Sequence, residues 1–223
     1  MMTEQVTQAT QDYLKVIYKL GQAGGPVTTN AIADRMGVAP ASVTKMVKRL
    51  AKDGLLTHTP YYGVRLTGRG ERAALEVIRH HRLLELYLTQ RLGLPIDEAH
   101  AEAERLEHAL SEAVEERIAR VLGNPRSDPH GDPIPSADGE VDEQVHPALA
   151  DATPGRSVVV ARVSDSDPVR LRRIAALGLL PGVRVRVLSR SPDGGVTVHA
   201  GAGRARRVSG RVARGIFVRE VAG

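Results

Sequence analysis

Apolar residues recur every three or four positions through the first half of the chain and shift to short, closely spaced runs in the last third. Residues 5–20 place Val6, Ala9, Tyr13, Val16, Ile17 and Leu20 on one stripe, which predicts an amphipathic helix that ends at the Gly21–Pro26 break. Thr28–Met36 and Pro40–Lys52 predict two more helices around Gly37. Leu55–Thr59 and Val64–Leu66 read as strands about a Tyr61-Tyr-Gly63 turn. A long helix over 70–92, closed by Gly93 and Pro95, and another over 95–122 follow. From Gly123 to Pro154 the crowding of Gly, Pro, Asp and Ser reads as linker chemistry. Beyond it, Ser157–Val163, Val183–Leu188, Val196–His199 and Ile216–Glu220 are β-rich runs separated by turn residues, which predicts a small barrel. The fold class expected is therefore α+β, mainly α.

Within the second and third helices, Ile32, Ala33 and Met36 would pack inward, Gly37 permits the turn, and Val43, Val47 and Leu50 anchor the second element. That anchoring directs Pro40, Ser42, Lys45, Lys48 and Arg49 outward, with Ala39 at the entry. Short polar and basic residues near the start of such a helix are what entry into a DNA major groove requires. The two-strand ribbon carrying Arg65, with Arg69 beyond it, would be a wing that grips phosphate. A winged helix-turn-helix is the expectation.

Charge divides the chain unevenly. Residues 1–80 carry 11 basic and 6 acidic residues, residues 81–154 carry 6 and 16, and residues 155–223 carry 14 and 4. The balance of +5 permits an anionic partner. One Phe and no Trp argue against a stacking platform for single-stranded nucleic acid. Without cysteine there is neither a disulfide framework nor a thiolate metal site. No apolar run approaches transmembrane length and residues 1–11 are polar, so a cytoplasmic protein without a membrane span is expected.

The acidic middle third holds the candidate chemistry. His100, Glu104, Glu107 and His108 fall at i, i+4, i+7 and i+8, one face of a helix with about 3.6 residues per turn. Imidazole and carboxylate together suit a borderline or hard divalent ion. His81 and Glu85 form a second i, i+4 pair on the preceding helix. In an antiparallel hairpin that pair can face His100, which leaves Glu104, Glu107 and His108 in need of another hard ligand. Asp12 supplies it, because a bare carboxylate beside an apolar stripe is costly to bury without a cation. A carboxylate-bridged metalloenzyme would need Glu-x-x-His on paired helices, whereas Glu104 and His108 are four apart, so no enzyme is expected. A winged-helix regulator of organic-ligand type, with structural histidines, stays open at this point.

Asp12-Tyr-Leu-Lys-Val-Ile-Tyr18, Ser42-Val-Thr-Lys-Met-Val47, Arg79-His-His-Arg-Leu-Leu-Glu85, Glu104-Arg-Leu-Glu-His108 and Pro129-His-Gly-Asp-Pro-Ile-Pro135 resemble the iron- and manganese-dependent repressors of the diphtheria toxin repressor family. The resemblance implies a winged-helix DNA-binding domain over 1–73, a helical metal-binding and dimerisation domain over 74–147, a linker at 148–155 and an SH3-like domain over 156–223. It implies a homodimer on palindromic double-stranded operator DNA, regulating metal homeostasis genes. Its primary metal site falls on Asp12, Glu104, Glu107 and His108, and its ancillary site on His81, Glu85 and His100, with Asp167 as the nearest match to a ligand lent by the SH3-like domain. Iron-type members typically carry Met and Cys where this chain has Asp12 and Glu104, so the resemblance implies Mn²⁺, with Fe²⁺ as second activator. Lys15 stands where short manganese regulators carry a Glu ligand, and Arg170 stands where a glutamine ligand is expected but offers no lone pair.

Overall fold

The structure, a computed structural model, describes residues 7–22, 24–142, 144–201 and 204–221. Residues 5 and 6 of the expected first helix lie outside them. Helix α1 spans Gln8–Gly21 and begins at Thr7, whose side-chain oxygen accepts from the Thr10 amide. Its buried face is Thr10, Tyr13, Leu14, Lys15 and Ile17, whereas Val16 and Leu20 of the expected stripe are only partly covered. Helices α2 (Thr29–Met36) and α3 (Pro40–Lys52) meet through Gly37, whose φ of 65° is the left-handed turn. Pro40 sits at the first position of α3, where a missing N–H costs nothing. Strands β1 (Leu56–Thr59) and β2 (Gly63–Leu66) pair antiparallel as the wing, and Val27 adds a bridge to Val64. That bridge runs so close that a Cβ on Gly63 would lie 2.5 Å from the Val27 carbonyl oxygen. Ile32, Val43, Val47, Leu50, Leu56 and Val64 close this core around Leu14 and Ile17.

Helix α4 (Gly68–Leu92) is the spine of the molecule. Its Ala74 belongs to the winged-helix core, while Leu83, Leu84, Leu86 and Leu88 belong to the next one. One rigid element thus joins the DNA-reading unit to the acidic unit.

The helix expected over 95–122 is interrupted. Helix α5 covers Ile96–Leu106, Glu107–Ala109 form a single 3₁₀ turn, Leu110 is extended, and helix α6 starts afresh at Glu112 and ends at Val121. A side chain meets the chain at the interruption. A continuing helix would give the Glu107 carbonyl to the Ser111 amide, but His80 Nδ1 lies 3.1 Å from that oxygen. His80 Nε2 lies 2.9 Å from Glu115 Oε2 on α6. Both partners only accept, so the imidazole donates from both nitrogens. Burial disfavours that cation, yet Glu115 outweighs it and the His80 pKa is raised.

The segment read as a linker is built structure over much of its length. Ser127 and Pro133 bridge, and Asp128 Oδ1 accepts from the amides of His130 and Asp132 at 2.8 and 2.9 Å. Arg82 donates to the Pro133 carbonyl, and Arg79 to that of Pro135 at 2.7 Å, which straps the segment to α4. Ile134 is buried in the α4–α6 core. The Val163 amide donates to the His130 carbonyl, and a Cβ on Gly131 would lie 2.1 Å from the Ala161 oxygen. Proline fixes φ and aspartate caps the turn, so composition typical of a linker here makes a rigid strap.

The C-terminal unit is an antiparallel sheet of order β6-β5-β4-β3-β7, formed by β3 (Ser157–Val163), β4 (Arg184–Arg190), β5 (Val196–Ala200), β6 (Arg206–Val208) and β7 (Ile216–Glu220). Helices α7 (Pro168–Ala176) and α8 (Gly210–Ala213), which hydrophobic patterning passed over, close it. Leu149, inside the expected linker at 148–155, is fully buried in this core beside Val160, Ile174 and Ile216. Leu149→Ala is expected to destabilise the chain by about 2–5 kcal/mol, read by chemical denaturation, because the site is closed on all sides. Among the described residues no helix is long and apolar enough to cross a membrane.

Candidate metal centre and DNA-reading surface

On α3, Ala39, Pro40, Ser42, Lys45, Lys48 and Arg49 are exposed, while Val43, Val47 and Leu50 are buried, as the helix-turn-helix reading requires. Arg49 makes only a loose pair with Asp53, at 3.8 Å. Arg65 is exposed on β2. The wing tip adds Tyr61 and Tyr62, both exposed, which the sequence showed only as a turn.

Three elements bring the acidic and imidazole groups together: α1 carries Asp12 and Lys15, α4 carries His81 and Glu85, and α5 with its 3₁₀ turn carries His100, Glu104, Glu107 and His108. His108 Nε2 lies 3.0 Å from Asp12 Oδ1 and 3.4 Å from Glu107 Oε1. Its other nitrogen, Nδ1, lies 2.7 Å from Gln11 Oε1. A proton on Nδ1 satisfies that oxygen and leaves the Nε2 lone pair facing two carboxylates, an arrangement that suits a cation between them. Burial raises the Asp12 pKa despite the opposing pull of His108 and Lys15.

Asp12, Glu107 and His108 offer donor atoms all within 4.8 Å of one another, and so, separately, do His81, His100 and Glu104. Glu104 was expected with the first set. Instead Lys15 Nζ lies between the sets, 2.6 Å from Glu104 Oε1 and 2.7 Å from Glu107 Oε1. Burial works to lower the Lys15 pKa, but Glu107 and Glu104 outweigh it and the net shift is upward. Glu104 is displaced downward, Lys15 overcoming the cost of its burial. His81 Nδ1 lies 2.5 Å from Glu107 Oε2, so Glu107 is held from both oxygens.

Glu85 collects imidazoles. Its Oε1 lies 2.8 Å from His100 Nδ1, 3.2 Å from His81 Nε2 and 3.4 Å from His130 Nε2. Although burial opposes ionisation of Glu85, these rings hold its pKa well below the usual carboxylate range. His130 was not foreseen. It is 1% exposed and neither ring nitrogen has a hydrogen-bond partner among the described residues. Burial disfavours its cation, yet Glu85, Asp128 and Asp165 outweigh it and push its pKa up to about 9. Asp128 beside it is pushed up to about 7 by burial and by Asp132 and Glu85. Glu85 and Asp128, both buried, thus crowd this imidazole, and its closest charged contact is Glu85 at 3.4 Å.

Asp167 does not join them. It caps α7, accepting from the Val169 and Arg170 amides, and pairs with Arg211 at 2.9 Å. The C-terminal residue that reaches this region is Asp165, on which Lys19, His130, Glu85 and His100 all act. The bridge from Pro129-His-Gly-Asp132 to this cluster was legible only as a motif, because nothing in the spacing aims His130 at Glu85.

A winged helix joined by one spine to a carboxylate–imidazole cluster defines a DNA-binding protein with a metal-type donor set. The family described as iron dependent repressor, N-terminal DNA binding domain, matches residues 5–64. The iron dependent repressor metal binding and dimerisation domain matches 67–136, and the FeoA domain matches 148–220. The iron-dependent repressor IdeR of Mycobacterium tuberculosis is 35% identical over 207 residues, covering 87% of this chain and 89% of that protein. The diphtheria toxin repressor of Corynebacterium diphtheriae is 34% identical over 170 residues, covering 76% and 73%. A solved manganese-dependent transcriptional repressor in complex with manganese superimposes with a TM-score of 0.85 at 40% identity, over 95% of this chain and all of that one. The chain belongs to the diphtheria toxin repressor family of iron- and manganese-dependent repressors. It is a metal-dependent transcriptional repressor with a DNA-binding domain, a metal-binding and dimerisation domain and an SH3-like FeoA domain, and it is not an enzyme.

Proposed function

We propose that this protein is a Mn²⁺-responsive repressor that binds palindromic operator DNA as a homodimer, with Fe²⁺ as a second activator, and that it controls metal-ion homeostasis genes. The observation that carries the reading is the donor set Asp12, Glu107 and His108, with Glu104 beside it: oxygen and imidazole, with no thiolate anywhere in the chain. Carboxylate oxygens suit Mn²⁺, the weakest binder of its row, and replacing sulfur by oxygen removes the donors that favour softer ions most. A bound ion would supply the cross-link between α1 of the DNA-binding unit and the turn after α5, and so fix the orientation of α3. His81 and His100, with Glu85 2.8 Å from His100, would hold a further cation against the spine. The homodimer reading is supported by apolar side chains left exposed on the helical unit, Leu92, Leu106, Val114 and Val121.

Selection of duplexes from a fragment library, with Mn²⁺ and with chelator in parallel, tests the function. Enrichment of one palindromic sequence only in the Mn²⁺ arm is expected. Equal enrichment in both arms would count against metal control. Lys45→Ala should weaken operator binding and lower the salt slope by about one while leaving Mn²⁺ stoichiometry unchanged, because Lys45 is exposed and remote from the cluster.

A further inference from the structure

Residues 155–223 carry 14 arginines, no lysine and four acids, and none of those acids lies on the outward face of the sheet. Asp165 reaches the buried cluster, Asp167 caps α7, and Asp193 is held in the β4–β5 turn by Ser191 and the Gly195 amide. Glu220 falls on the core side of β7, in step with Ile216 and Val218. The outward side carries Arg184 and Arg186 of β4 and Arg219 of β7, all exposed and without a hydrogen bond or ion pair among the described residues. Arg184 and Arg219 flank Val159 of β3 from the two neighbouring strands, and Arg186 stands beside Ser157 and His199. The spacing of residues and strands puts the three within about 12 Å of one another. Like charges gathered this closely cost stability, and covering Val159 with an aliphatic stem needs no charge at its end. We propose that this face binds the phosphate backbone of the duplex beside the operator, giving each subunit a second, sequence-independent DNA contact. The proposal rests on the operator reading above.

Guanidinium presents a planar fork that takes two oxygens of a phosphate or a carboxylate at once, so side-chain type alone leaves DNA and an acidic protein face as partners. Two observations favour DNA. The first is position. Phe217, which shares the outward face of β7 with Arg219, lines one cavity of about 510 Å³ together with Lys19 of α1 and Arg35 of α2. Helix α2 is the first of the helix-turn-helix pair, the one that crosses the DNA backbone while α3 enters the groove. The arginine face therefore adjoins the unit that a bound duplex already touches. The second is the state of the acids on the chain itself. In the acidic middle unit Glu85, Glu104, Glu107, Glu115, Asp128 and Asp132 already pair with its own histidines and arginines or with Lys15, which leaves a second copy a poorer match than phosphate.

Titrations of the full chain in Mn²⁺ over a range of salt test this with two duplexes. One is the palindrome selected as above, trimmed to its ends, and the other is the same palindrome extended on both sides by unrelated sequence. Wild type is compared with the triple variant Arg184→Gln, Arg186→Gln, Arg219→Gln. The control is Arg173→Gln, an exposed arginine on α7, whose Leu171 and Ile174 pack on the opposite side of the sheet. Wild type is expected to bind the extended duplex about tenfold more tightly than the trimmed one, and with a steeper salt slope. The triple variant should lose that gain, its slope on the extended duplex falling by about two to three per subunit, since each phosphate contact contributes about 0.9. Its affinity for the trimmed duplex, its Mn²⁺ stoichiometry and its melting temperature should stay at wild-type values, and Arg173→Gln should keep the gain. Equal binding of both duplexes by wild type overturns the proposal alone, as does a triple variant that keeps the gain. So does an Arg173→Gln chain that loses as much per charge, because the effect is then one of net charge and not of this face. Self-association of the DNA-free chain, seen by sedimentation velocity and lost in the triple variant with the gain intact, assigns the face to a second copy instead. A wild-type chain that enriches no palindrome overturns the operator reading together with it.

Discussion

Glu107→Ala is expected to destabilise the metal-free chain by about 3–5 kcal/mol and to abolish the response of operator binding to Mn²⁺. The carboxylate has no solvent-exposed surface and is held by Lys15 at 2.7 Å on one oxygen and His81 at 2.5 Å on the other. Its removal takes the closest partner from a buried imidazole, whose pKa is raised because Glu85 and Glu107 outweigh its burial, and one of two partners from a buried ammonium. Most of the cost therefore comes from these two groups, which stay buried with one counter-charge fewer, Lys15 left with Glu104 and His81 with Glu85. Glu102→Ala is the control: the same residue type on the adjoining helix α5, but half-exposed and paired with Arg105 at the surface, and expected within about ±0.5 kcal/mol. Urea unfolding in chelator, with operator titrations in Mn²⁺, separates the two. A Glu107→Ala chain as stable as the control would refute the buried network.

Operator DNA is expected to tighten Mn²⁺ binding by the same factor by which Mn²⁺ tightens operator binding, in the range of about 5–150-fold. Reciprocity follows because both affinities refer to one equilibrium, the orientation of the winged helix relative to α5 and the turn after it. Asp12 and Lys15 sit on α1, which packs directly on α4, and Glu107 and His108 sit in a turn whose backbone His80 fixes. An ion shared by Asp12 and His108 would join the two at the 3.0 Å contact already present between them. Mn²⁺ titrations with and without operator duplex measure one factor, and operator titrations with and without Mn²⁺ measure the other. Unequal factors, or a factor of one in both, would rule out this coupling.

Much of this was legible in the residues themselves. The 3.6-residue stripe, the Gly37 turn and the outward set on α3 followed from periodicity, because a helix must bury one face and its polar residues then have only one direction to point. The charge blocks separated the three units, and oxygen and imidazole, without thiolate, were legible as the available donor types. Where the sequence misled, the deciding interaction lay far away in the chain. Where the 95–122 helix breaks, His80, some 27 residues before Glu107, contacts its carbonyl. Residues 123–154 look like linker because Pro, Gly and Asp are the same residues that make a rigid turn once Arg79 and Arg82 bind its carbonyls. Asp167 follows the expected alignment, but the Asp-Pro start of α7 turns it into a helix cap and brings Asp165 to the cluster.

By itself, then, the sequence determined which groups are available and which residues α3 turns outward, since these depend on residue type and local period. Only the tertiary structure decided how the donors are shared: Glu104 held to Glu107 through Lys15, and His130 brought to Glu85 by the strap. Those pairings join residues 89, 92 and 45 positions apart, by subtraction of their numbers. No local pattern encodes such distances. They are set by how α1, the strap and α5 pack against α4, where burial makes each charge depend on whichever partner the packing delivers.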